Sequence, residues 1–360
     1  MHISEVSNWH QEHNFALGDN NEYRFNCQWL GDFHAGRILS QSDGLLGEVI
    51  SVFETAINVK TDNNELLVIT LGKIRSPVNM NVLPIVREIG VGNGGARRGF
   101  RGSIDFGCEV QIEKNTIVIG KVIFWLGECR IFRSAIDNLL TANTLSRFIS
   151  KCDEIFNILK THARRGCLLT PDITTTGLLL KFVKEQYSCH YGSTSTFSAS
   201  STSVIPRALM ELCGRGTGYT PAGDDFIAGY LAVFNWISES LNFDSIKLPT
   251  YMLAPLTSWT SLKLIEYNSK KLCDEEIQDM IWSISAGDCE KYMSHIAKIS
   301  QRGHTSGIDV VSGMTVALYA VIDALFETNV IGRFLSVLAT KDLEYESQIK
   351  SEEENESSQN

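Results

Sequence analysis

The densest concentration of chemistry-bearing residues in this 360-residue chain is the stretch 214–229, GRGTGYTPAGDDFIAG. Gly214, Gly216 and Gly218 alternate with Arg215 and Thr217, leaving backbone amides that a bound group can approach closely. Thr220 suits a helix N-cap and Pro221 the first helical position, where the missing N–H would have been an orphan donor in any case. The spacing of Phe226, Tyr230, Phe234 and Ile237 then predicts a helix from Pro221 to Ser240. Free amides at such a start, with the positive end of the helix dipole, attract anions. Gly223 inside the first turn costs about 1 kcal/mol against alanine, which helix formation alone does not select. Asp224 and Asp225 oppose a bare phosphate cradle, because two carboxylates repel a phosphate. Three readings stay open: a divalent metal sits between them, one of them handles a proton, or both answer the helix dipole. A structural account, a well-capped helix with a tight crossing at the glycines, stands beside them. No Gly-Lys-Ser/Thr follows, so the stretch is not a nucleotide-binding P-loop.

A second loop, RGHTSGIDVVSGM at 302–314, places Gly303, His304, Thr305, Ser306 and Gly307 before an apolar helix carrying Val311, Met314, Leu318 and Ile322. Ser306 followed by Asp309 has the spacing of a capping box. His304 is the candidate proton carrier here, since its ordinary titration range suits acid–base work. Thr257, Ser258, Thr260 and Ser261 gather at a third helix start, offering hydroxyls to an anion or simply capping the helix. GNGGARRGFRG at 92–102 brings Arg97, Arg98 and Arg101 into a glycine-rich loop, an anion site or a solvated turn. His10 and His13 form a metal-like pair with no further ligand nearby.

These loops need a frame. Between about residue 30 and 126 the chain reads as strands: GEVISVFETAINVKT, NELLVITLG, NVLPIV, IDFGCEVQIE and TIVIGKVIFWL, separated by turn signals such as TDNN and EKN. Residues 131–160 change to helical spacing, with Leu139, Leu140, Phe148, Ile155 and Leu159 near one face, and TTGLLLKFVKEQY predicts another helix. A Ser/Thr-rich connector at 192–203 precedes a back half that reads as helix from about 204 to 340. No internal repeat stands out. The expected class is α+β, a β-rich N-terminal half packed with a mainly helical C-terminal half. The expected organisation is a variable segment at 1–30, a β-rich domain at 31–130, a helical domain at 131–345 carrying the glycine-rich loops, and a disordered acidic tail at 346–360.

Composition narrows the function. A net charge of −10 argues against nucleic acid as a partner, which calls for a basic face. No run reaches the 18 or so apolar residues of a membrane span, and the N-terminus lacks the basic-then-apolar order of a signal peptide. The expectation is a cytoplasmic chain with no membrane partner. Nine cysteines are scattered without a C-x-x-C pair, as expected of small buried apolar residues in a reducing compartment.

Gly216-x-Gly218-x-Thr220-Pro221-x-Gly223-Asp224-Asp225, followed downstream by Gly303-His304-Thr305-Ser306-Gly307-x-Asp309, resembles a bacterial family. One branch of that family is the AllH-type subunit of the oxamate carbamoyltransferase of allantoin degradation. The Thr/Ser segment at 257–261 and the region from SVFETAINV to SPVNMNV are also similar, so the resemblance spans roughly residues 45–330. Tyr219 stands where the family usually has leucine, and Ala222 where it usually has serine, which takes away a hydroxyl contact at that position. The resemblance implies carbamoyl transfer on a small anionic acceptor of the oxamate or oxalurate type, with carbamoyl phosphate as donor or product and companion protein subunits as partners. Under it, Gly216, Thr217, Gly218, Thr220, Gly223, Thr257, Thr305 and Ser306 contact substrate. His304, Asp224 and Asp225 are the catalytic candidates: His304 or Asp225 moves the proton, and Asp224 positions the loop or binds a metal. The resemblance fixes no cofactor, and magnesium is the candidate that paired aspartates would take. A non-catalytic metabolite-binding or scaffold subunit, or another small-molecule transferase, is the alternative reading.

Overall fold

The computed structural model describes residues 23–334 except 42, 85–99, 135, 137–139, 170–206, 217, 244 and 248–249. Several sequence expectations therefore lie outside the described residues: the pair His10/His13, Arg97 and Arg98, the helix expected at TTGLLLKFVKEQY, the connector at 192–203, Thr217 and the acidic tail. The described residues divide into two compact units. One comprises those up to Lys73 with Val78–Ile131, and the other Ile74–Pro77 with those from Phe132 onward.

The first unit is a β-barrel. Its strands are β1 (Tyr23–Gly31), β2 (Asp43–Val52), β3 (Ala56–Thr61), β4 (Leu66–Thr70), β5 (Asn79–Pro84), β6 (Glu109–Glu113), β7 (Thr116–Ile119), β8 (Val122–Trp125) and β9 (Arg130–Phe132). They run in the order β5-β4-β3-β2-β6-β7-β8-β1-β9, and a further β5–β1 pairing closes the sheet on itself. β1 is the closing strand. It pairs parallel with β8, Phe25 opposite Phe124, and antiparallel with β5, Leu30 opposite Met80. Closure leaves no long edge to recruit another chain. Side chains alternate in the hairpins, so Val110, Ile112, Ile117, Ile119, Val122 and Phe124 point inward, where Phe25 stacks on Phe124. The expected variable segment at 1–30 is corrected here, because β1 starts within it. A short helix, α1 (Asp32–Ser40), interrupts what read as strand; His34, Ala35 and Ile38 form its buried face, three and four residues apart.

The second unit is helical: α2 (Ala142–Ser146), α3 (Cys152–His162), α4 (Arg207–Leu212), α5 (Ala222–Ser240), α6 (Thr250–Leu253), α7 (Trp259–Ser269), α8 (Glu275–Ala286), α9 (Cys289–Ile299) and α10 (Ser306–Phe326). The helix expected across 131–160 is broken. Phe132 ends β9, and a 3₁₀ turn at Ile149–Lys151 separates α2 from α3. The whole assembly has the α+β composition expected, strands first and helices after.

α5 and α10 pack against each other at the heart of this unit, and each is buried on nearly every side. That all-round burial explains why α10 defeats the sequence reading on membranes. It is long and apolar enough to span a bilayer by length and composition, yet 78% of its apolar window is covered by protein. It is a core helix.

Candidate functional site

The start of α5 differs from the sequence expectation by one residue, with consequences for the chemistry. Pro221 is the N-cap and makes no side-chain cap bond, so the helix begins at Ala222. Thr220 is thereby released from capping: its hydroxyl donates to Asp225 Oδ2 at 3.1 Å and lies 3.1 Å from Ser306 Oγ. Ser306 also hydrogen bonds the Asp225 carboxylate. This triangle joins the two glycine-rich loops, eighty-odd residues apart in sequence, at one place. The capping box expected at Ser306 and Asp309 is corrected. Thr305 is the N-cap of α10, Ser306 turns to Thr220, and Asp309 Oδ1 accepts the N–H of Leu168 at 2.8 Å.

Asp224 and Asp225 are adjacent on a helix, so their side chains leave it about 100° apart. Asp224 turns to the loop before it, where Oδ1 accepts the N–H of Gly214 at 2.7 Å and Oδ2 the hydroxyl of Thr257. It ties the third helix start to the first. Ser258, the N-cap of α7, accepts from Ser261 N, while Tyr219 Oη meets Thr260 Oγ1 at 3.0 Å. Side-chain bonds thus bring three helix starts together, those of α5, α7 and α10. Among the described residues, no three His, Cys, Asp or Glu side chains gather to hold a metal ion.

The carboxylates differ in what burial does to them. Asp225 is 8% exposed, and desolvation pushes it up to about 7, against the pull of the Ser306 and Thr220 hydroxyls and with a push from the Asp224 charge. Asp309 is 0% exposed; burial pushes it up to about 8, and the nearby Asp225 adds to that rise. Its Oδ2 finds no hydrogen-bond partner. Burial, with the Asp224 charge added, likewise raises the neighbouring Cys213 thiol, leaving it protonated and inert. Sequence spacing read Asp309 as a cap and as the last residue of the second motif, and assigned it no chemistry.

Several glycines prove to be packing residues. A Cβ on Gly223 would strike the carbonyl of Leu212, and its amide is already given to Arg215 O at 2.8 Å, so it offers nothing to a ligand. Gly307 is equally committed, donating to Arg302 O. Gly216 and Gly218 are different: both are exposed, both have positive φ (105° and 120°), and among the described residues their amides have no partner. The amides of Ala222 and Ser306, first residues of their helices, also have no partner among the described residues, although Ala222 is buried against Gly216.

His304 sits exposed at the tip of the second loop, and no described residue pairs with its ring. Its backbone is well anchored. Arg164 donates to the carbonyls of His304 and Ser300, and Arg302 is locked to Asp274 and Glu276 at the start of α8. Thr305 is buried beneath it and hydrogen bonds Asp309.

Residues 212–318 match the family model described as oxamate carbamoyltransferase subunit AllH, which bears out the resemblance over that stretch. The matched segment, under a third of the chain, runs from the end of α4 into α10 and contains both glycine loops, Thr257, Asp225 and Asp309. No curated protein and no solved structure matches the chain.

Proposed function

We propose that this chain is a subunit of a carbamoyltransferase that binds a small anionic acceptor of the oxamate or oxalurate type, with carbamoyl phosphate as donor or product. The observation that carries the reading is the meeting of the two loops: Thr220, Ser306 and Asp225 bonded together where open amides and helix starts converge. A phosphate or carboxylate group suits the amides of Gly216, Gly218 and Ser306, with the α5 and α10 dipoles behind them. In the degradative direction a phosphate oxygen attacks the carbamoyl carbon of oxalurate. The C–N bond to the oxamate nitrogen breaks, the pair of electrons goes to that nitrogen, and a proton must follow. Protonated Asp225 is the group that delivers it, because a carboxyl poised near 7 is half-protonated at neutral pH. The oxyanion that develops on the carbamoyl oxygen is met by the loop amides. Companion protein subunits and a cytoplasmic setting belong to this proposal.

A second reading is favoured by the packing of Gly223 and Gly307, which shows that part of the motif builds helix crossings: the chain is then a scaffold that docks catalytic partners. The experiment is to follow carbamoyl phosphate formation from oxalurate and phosphate, with the chain alone and with its companion subunits, for wild type and Asp225→Asn. The proposal expects turnover to fall at least a hundredfold in the variant, on the scale of a lost acid–base group. Full turnover in folded Asp225→Asn removes Asp225 from the mechanism, and activity of the companion subunits without this chain favours the scaffold.

A further inference from the structure

The two helix starts repeat one plan. Gly223, Asp225 and Gly229 are the second, fourth and eighth residues of α5, and Gly307, Asp309 and Gly313 hold the same places in α10. Each second-place glycine presses on the carbonyl that ends the preceding helix, Leu212 for α5 and Ile299 for α10. Each also donates its amide to an arginine carbonyl three residues past that helix end, Arg215 and Arg302. The eighth-place glycines make the crossing reciprocal. A Cβ on Gly229 would strike the carbonyl of Val310, and one on Gly313 that of Phe226. Phe226 and Val310 directly follow the two aspartates, so the crossing holds Asp225 and Asp309 toward each other as counterparts.

Among the described residues, their surroundings leave this pair short of counter-charge. Asp309 is fully enclosed, with one oxygen on the Leu168 N–H and the other without a partner. Asp225 faces two hydroxyls and the Asp224 charge. Of the described cations near these loops, Arg302 is spent on Asp274 and Glu276, Arg164 on the carbonyls of Ser300 and His304, and Arg215 is exposed with its Nε on the Glu211 carbonyl. His304 is exposed at the loop tip, and the Cys213 thiol lies on Asp224. Two buried carboxylates in one place, with no cation on either among the described residues, do not both ionise.

We infer that Asp225 and Asp309 are electrostatically coupled carboxyls that do not both ionise at neutral pH, with Asp309 the positioning residue that keeps the proton of Asp225 available. This rests on the reading of Asp225 as the proton-bearing group. Burial raising both groups, to about 7 and about 8, accords with it. Such groups titrate as a pair rather than singly.

The test is a carbon-13 NMR titration of the full chain, labelled at the aspartate side-chain carboxyls, from pH 3 to 9.5 without substrate. Wild type is expected to show two carboxyls still titrating above pH 6. Asp309→Asn, which keeps an acceptor oxygen for Leu168, should lower the Asp225 midpoint by about one pH unit or more, and Asp225→Asn should lower that of Asp309 alike. The second variant reads the same coupling if the first does not fold. An Asp309 midpoint in the ordinary carboxylate range, or a midpoint that ignores loss of its partner, overturns the pair. In the transfer assay Asp309→Asn should move the pH profile while Asp225→Asn abolishes turnover. A coupled titration without carbamoyl transfer keeps the pair and refutes the reaction; transfer with uncoupled titrations does the reverse.

Discussion

The two ends of α10 carry the same residue at the same burial and use it in opposite ways. Asp323, 0% exposed near the C-terminal end, accepts from the Thr328 hydroxyl and from the backbone N–H groups of Val330 and Ile331, where the next helix begins. Asp309, 0% exposed near the N-terminal end, has one oxygen bonded and one orphaned. Burying a carboxylate is costly unless donors replace the water it loses. Asp323 receives them and serves the fold. Asp309 is left wanting, and the deficit is taken up as a raised affinity for a proton. A structural aspartate and one suited to chemistry are told apart here by their donors.

The comparison can be broken from either side. Asp323→Ala should have the largest effect, destabilising the chain by about 4 kcal/mol in urea unfolding, because it strands two backbone donors in the interior. Gly313→Ala attacks the crossing that holds the other end: its new methyl meets the Phe226 carbonyl, and about 2–3 kcal/mol should be lost.

Asp309→Asn sharpens the contrast through pH. In the folded chain Asp309 keeps its proton up to about pH 8, whereas unfolded it releases it near 3.8. The folded state therefore binds the extra proton across that window. The contribution of this group is fully present below about pH 4 and is lost as pH rises toward 8. The variant lacks this slope, so its stability relative to wild type should improve by about 2 kcal/mol or more between pH 4 and 8, each unit of offset being worth about 1.4 kcal/mol. A pH-independent difference would mean that Asp309 is as well satisfied as Asp323. Smaller effects follow at the rim. Thr257→Val removes one donor from Asp224 and should cost about 1–2 kcal/mol. His304→Ala, at an exposed position, should change stability by less than about 0.5 kcal/mol. Its turnover should fall far less than that of Asp225→Asn; an equal fall would return the proton role to His304.

Much of the frame was legible. The alternation of Val110, Ile112, Ile117 and Ile119 identified strands because one face of a barrel wall is buried, and the helix-period runs after residue 204 identified the second unit. What escaped were features made by distant parts of the chain meeting. β1 closes the barrel by pairing with strands some fifty and a hundred residues away, which its own residues do not announce. The likeness of α5 to α10 is carried by Gly, Asp and Gly alone, at helix positions that mean little until the helices cross. The glycines misled for the same reason: a glycine that bares its amide to a ligand, as at 216 and 218, and one that admits a neighbour's carbonyl, as at 223 and 307, are written alike. Both loops, Thr257 and Asp225 were singled out in the sequence, and the structure brings them together. Asp309 was taken for a cap because Ser306 stands three residues before it, and only its enclosure reveals the difference.

The most direct measurement is isothermal titration of carbamoyl phosphate into the full chain at pH 7, with and without magnesium, beside a Thr220→Val, Ser306→Ala double variant. The joined loops predict binding to wild type and an affinity at least tenfold weaker in the variant, the scale of about one lost hydrogen bond to a charged group. Equal affinity in both, or no binding to a folded wild-type chain, would contradict an anion site where these two loops meet.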